Sequence, residues 1–110
     1  MLEPLHIAVA QTSPRKGEYA ANLARAGEIL RDAALLDPRP AVVQFPESAL
    51  TGYFLEGGVR DLAMTAGALA DDLARVYGAG PAIDVCIGFY EVWENTLYNS
   101  ALYVLSLIHI

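Results

Sequence analysis

Ala41-Val42-Val43-Gln44-Phe45-Pro46-Glu47-Ser48-Ala49-Leu50-Thr51-Gly52-Tyr53 sets the frame for the whole chain. A short apolar run with two adjacent valines reads as a buried strand. Proline has no N–H to continue a sheet ladder, so the strand stops at Phe45 or Pro46. Glu47 then lies just past the carboxyl end of a strand, the edge at which open α/β sheets place their ligands. Taken by itself, a carboxylate in such a strand-to-helix turn is more often merely solvated than catalytic.

Composition narrows the rest. A chain of 110 residues is enough for one small domain, and a hydrophobic fraction of 55% argues for a packed core over disorder. Thirteen acidic residues against seven scattered basic ones give a formal charge of −6, which disfavours nucleic acid and anionic membranes as partners. Cys86 is the single cysteine, so no internal disulfide is available, and a reducing, cytoplasmic setting is expected. Residues 1–10 lack the basic and apolar regions of a signal peptide, and no apolar run is long enough to span a membrane.

Working outward from the opening segment, Leu5 to Ala10 reads as a first strand, central in its sheet because it is apolar on both faces. From Gly17 to Leu36 the period changes. Leu23, Gly27, Leu30 and Ala34 recur at helical spacing, with Glu18, Asn22, Arg25, Glu28 and Asp32 on the other side. The small residues on the apolar side predict close approach to a sheet, and the prolines at 38 and 40 end the helix. Strand, helix and strand make a parallel βαβ unit. Gly57-Gly58 closes a glycine-rich loop from Phe54 onward, without the Lys-Ser/Thr successor of a phosphate loop. A short helix follows within 59–66 and a clearer one over 66–77, stopped by Gly78, Gly80 and Pro81. Ala82 to Tyr90 reads as a buried strand with Cys86 as a small core residue, since a nucleophilic cysteine needs partial exposure and a nearby base. Glu91 to Asn95 is a polar connection containing Trp93, and Leu97 to Ile110 is a further strand, paired with its predecessor as a hairpin. His6 reads as structural, with no second ligand nearby to suggest a metal. The apolar run 102–110 stops abruptly, which implies a truncated chain whose residues 105–110 need not be the authentic continuation.

Five segments in order carry a specific likeness: Ile7 to Pro14, Asn22-Leu23, Phe45-Pro46-Glu47 with Thr51-Gly52-Tyr53, Gly88-Phe89-Tyr90-Glu91, and Tyr98-Asn99-Ser100-Ala101. Together they resemble the nitrilase (carbon–nitrogen hydrolase) superfamily over nearly the whole chain. The resemblance implies an α/β fold, a four-layer α-β-β-α sandwich, with residues 1–110 as the N-terminal part of a single hydrolase domain and hence incomplete. It implies a hydrolase of non-peptide carbon–nitrogen bonds, acting on small amide or nitrile substrates with release of ammonia. The chemistry uses a Glu-Lys-Cys triad, no cofactor and no metal, and the full-length protein would form homo-oligomers. On this resemblance Glu47 is the general base and Tyr53 a wall of the substrate pocket.

Two triad members have no counterpart here. Lys16, the only lysine, lies in the first loop, and Cys86 matches the family's nucleophile neither in position nor in surroundings. The resemblance therefore implies a chain that is inactive alone. A glutamine-hydrolysing domain of an NAD synthetase, or a non-catalytic interaction module with the same fold, would fit the same segments.

Overall fold

The computed structural model describes residues 2–53 and 57–107. Among them four strands, β1 (Ile7–Val9), β2 (Val42–Gln44), β3 (Ile83–Trp93) and β4 (Thr96–Leu107), form one sheet in the order β1-β2-β3-β4. The first three are parallel and β4 runs antiparallel to β3. Helices α1 (Tyr19–Ala34), α2 (Val59–Leu62) and α3 (Ala66–Tyr77) connect them.

Side-chain alternation divides the sheet into two unlike faces. Val43, Val85, Ile87 and Phe89 point to one side and are buried beneath Leu23 and Leu30 of α1 and Leu69 and Leu73 of α3. Ile7, Val9 and Tyr103 point to the other side and stay about half exposed or more. The described residues thus form one helix layer on one sheet layer. β1 is an edge strand here and not the central strand its two apolar faces predict. Apolarity on both faces reports a capacity for burial, and the described helices cover only one face.

Helix α1 forms because Leu23, Ala26, Leu30 and Ala33 repeat at helical spacing and all are buried. Ala33 faces the sheet as expected, whereas Gly27 meets another helix. A Cβ at Gly27 would lie 2.9 Å from the Cβ of Val76 on α3, so glycine sets how closely the two helices cross. Helix α3 occupies the range predicted for it. The hydroxyl of Thr65 caps it by accepting from the Ala68 N–H at 3.2 Å, and Gly78 ends it at φ +76°.

β3 continues three residues past the predicted Tyr90, which shortens the polar connection to a two-residue turn. Glu94 and Asn95 take φ of +48° and +63°, the left-handed pair that matches the twist of a tight hairpin. The turn pairs Trp93 with Thr96 and fixes the register back to Val85 opposite Val104, beyond which it shifts by one residue. Residues 54–56 of the glycine-rich loop and residues 108–110 lie outside the described residues.

Candidate active site

Glu47 stands where the strand break at Pro46 predicts, beyond the carboxyl end of β2. The Phe45 N–H still donates to the Cys86 carbonyl at 2.9 Å, so pairing with β3 lasts to the residue before the proline. The chain then turns over the sheet face opposite the helices. Gly88 of β3 makes this possible: a Cβ there would lie 2.8 Å from the Glu47 Cα and 2.9 Å from its carbonyl carbon, and would collide with its carbonyl oxygen. No side chain larger than hydrogen fits beneath that peptide.

A second strand holds the carboxylate itself. Asn99 of β4 pairs with Tyr90 of β3, which puts its side chain on the same face as Gly88. Its Nδ2 donates to Glu47 Oε1 at 3.0 Å. Both residues are exposed, at a shallow cleft of about 340 Å³ lined by Gln44, Phe45, Glu47, Gly88, Asn99, Ser100 and Ala101. No basic side chain pairs with Glu47 among the described residues. The arrangement presents an oriented carboxylate with one free oxygen edge, suited to accepting a proton from a group placed above the sheet.

The turn after Glu47 is anchored from behind. Gly52 donates to the Ser48 carbonyl at 2.8 Å, and the Thr51 carbonyl accepts from the Gly17 N–H at 2.8 Å. Gly52 has φ +76°, and a Cβ there would meet the Lys16 Cα at 3.1 Å, so the turn lies against the loop leading into α1. Asn22 joins the two. Its Nδ2 donates to the Arg15 and Leu50 carbonyls at 2.8 and 2.9 Å, and its Oδ1 accepts from the Arg15 N–H at 2.8 Å. Asn22 is buried, and not on the polar side of α1 as its chemistry predicts. The signal was available: Asn22, Ala26 and Leu30 share one i, i+4 stripe, and the stripe is buried.

Cys86 also differs from expectation. It sits on the face away from the helices, partly exposed and opposite Tyr103, because alternation sends its neighbours Val85 and Ile87 into the core instead. It does not line the Glu47 cleft. Tyr53 is about half exposed beyond Gly52 and is not among the described residues lining that cleft. Lys16 belongs to the loop that backs the Glu47 turn.

Solved structures reproduce this arrangement of elements. The chain superposes on an N-terminal amidase at a TM-score of 0.72 and 26% identity, over 94% of this chain and 25% of the amidase. The fold is that of the nitrilase superfamily. A CN-hydrolase superfamily protein from Xanthomonas campestris matches at a TM-score of 0.73 and 19% identity, over 96% of this chain and 38% of that one. A glutamine-dependent NAD+ synthetase from Acinetobacter baumannii matches at 0.70 and 23%, over 91% and 18%. At those identities the two likenesses concern the fold alone. The chain spans about a quarter of the length of the amidase it matches, so its nitrilase-type sandwich is incomplete. No protein-family model and no curated protein matches the sequence.

Proposed function

We propose that residues 1–110 are the N-terminal part of a hydrolase acting on non-peptide carbon–nitrogen bonds, with Glu47 as its general base. The observation that carries this reading is the mounting of Glu47: it lies at the end of a buried strand, seated over a glycine and oriented by Asn99. The likeness to an amidase supports the reaction class. In such chemistry Glu47 accepts the proton of an attacking thiol, and the thiolate adds to the amide or nitrile carbon. Glu47 gives that proton to the departing amine or ammonia, and, again ionised, accepts a proton from the water that releases the acid and regenerates the thiol. A lysine neutralises the developing negative charge. Neither the nucleophile nor the lysine has a counterpart among residues 1–110, so these residues alone are expected to be inactive. Asn99 holds the carboxylate in orientation and is a positioning residue.

The test measures ammonia release from a panel of amides and nitriles by the full-length gene product. Replacing Glu47 with Gln is expected to lower turnover roughly 10²- to 10⁴-fold. A variant as active as wild type refutes the assignment. A second reading, in which the domain hydrolyses glutamine to feed a synthetase, fits the same fold. An ATP-dependent synthetase domain encoded downstream would decide for it.

A further inference from the structure

The hairpin end of the sheet carries a second concavity, on the opposite face from Glu47. Glu91 faces Tyr98 across β3 and β4, Trp93 faces Thr96, and Phe89 faces Ser100. Directly opposed side chains share a face, so Glu91, Trp93, Tyr98 and Ser100 all stand on the side that buries Phe89. Trp93 and Tyr98 are diagonal neighbours there, within reach of one another's rings. These four residues line an open cavity of about 420 Å³.

Its chemistry is that of a cation site. Trp93 and Tyr98 are 59% and 47% exposed although both are large aromatic side chains that are usually buried. Ser100 Oγ donates to Glu91 Oε1 at 2.8 Å, which fixes the carboxylate while leaving its other oxygen for a ligand. No basic side chain pairs with Glu91 among the described residues. The nearest one placed by a contact is Arg60, whose guanidinium donates to Asn95 Oδ1 at the turn, at 3.4 Å. Two π faces beside a held, unpaired carboxylate favour a weakly hydrated organic cation over an inorganic one, because the rings attract charge without having to strip a tight water shell.

We propose that Glu91, Trp93 and Tyr98 form a binding site for an alkylammonium group. Glu91 supplies the counter-charge and the two rings supply cation–π contacts. None of the three residues lines the Glu47 cleft, although Ser100, which holds Glu91, borders both cavities.

Trp93 is the only tryptophan in residues 1–110, so emission from this chain reports the site directly. Tetramethylammonium chloride and N-acetyl-lysine amide are titrated against sodium chloride at matched ionic strength. Saturable quenching or a shift with a dissociation constant of order millimolar is expected for an ammonium probe and not for sodium. The tetramethylammonium and lysine arms separate a free quaternary ion from a lysine side chain as the preferred source. Glu91→Gln is expected to weaken binding at least about 5-fold, as is Tyr98→Ala, whereas Tyr98→Phe keeps the π face and most of the affinity. Far-UV circular dichroism checks that each variant is folded. The proposal is overturned if no ammonium probe gives a saturable change, if sodium gives the same change, or if folded Glu91→Gln binds as tightly as wild type.

Discussion

Gly88→Ala tests the seat of Glu47. Two effects oppose each other. Replacing glycine by alanine within a strand removes backbone freedom from the unfolded chain and by itself stabilises by roughly 0.5–1 kcal/mol. Against this, the new methyl would lie 2.8 Å from the Glu47 Cα and 2.9 Å from its carbonyl carbon, where carbon atoms prefer about 3.5–4.0 Å. The obstacle is backbone on both sides, so no rotamer change relieves it. Glu47 has to move by about 0.6 Å or more, and overpacking of this kind costs about 1–3 kcal/mol. The clash wins, with a net loss of about 0.5–2 kcal/mol and a fall in Tm of a few to ~15 °C for a domain of this size. Gly67→Ala in α3 is the matched control. A Cβ there meets nothing within 4 Å, so the same substitution is expected to stabilise by about 0.5–1 kcal/mol. Urea unfolding followed by circular dichroism gives both signs. Amide NMR gives the local consequence, a shifted Asn99 side-chain resonance in Gly88→Ala as its bond to Glu47 Oε1 is lost. Gly88→Ala as stable as wild type, with the Asn99 resonance unmoved, would refute the close approach.

Asn22→Ala removes three hydrogen bonds and strands the Arg15 and Leu50 backbone groups. We expect a loss of about 2–4 kcal/mol, read as a lower urea midpoint at unchanged slope, because unpaired buried polar groups cost more than the bonds gained. Thr65→Ala removes the cap of α3 and is expected to cost about 1 kcal/mol in the same assay. Alkaline stability depends on Tyr19, whose hydroxyl is raised above the ordinary tyrosine range by burial and then by its bond to Asp72. The unfolded chain releases this proton first, near pH 10. Stability is therefore flat through neutral pH and falls above about pH 10, by at most ~1.4 kcal/mol per unit for this group. Tyr19→Phe should flatten that decline, and urea midpoints between pH 8 and 11 will show whether it does. The purified 110-residue chain should release no ammonia from amides or nitriles above the buffer rate, and turnover lost in Glu47→Gln would refute that expectation.

Legibility differed by residue. Pro46 marks the end of β2 and so puts Glu47 past the strand, and the 66–77 helix follows from its apolar spacing alone. The sequence predicts the hairpin but too long a turn, because Glu91 and Trp93 are polar or large and read as loop. In the fold they are strand residues whose partners Tyr98 and Thr96 complete the ladder. Asn22 and Cys86 differ from expectation for a shared reason. Residue type suggests solvent for one and core for the other, whereas the direction of a side chain is fixed by its position on a helix stripe or a strand face. Asn22 turns inward because two backbone carbonyls and an N–H need partners there.

The sequence by itself determined the alternation of strand and helix, the parallel βαβ start, the hairpin and the position of a carboxylate at a strand's carboxyl end. All are local consequences of hydrophobic period and of proline and glycine geometry. The tertiary structure alone decided which face of the sheet the helices cover and what holds the carboxylate there. Gly88 beneath Glu47 and Asn99 beside it lie 41 and 52 positions further along the chain. Only strand pairing brings such distant residues to hydrogen-bond range, and periodicity within one segment carries no record of it.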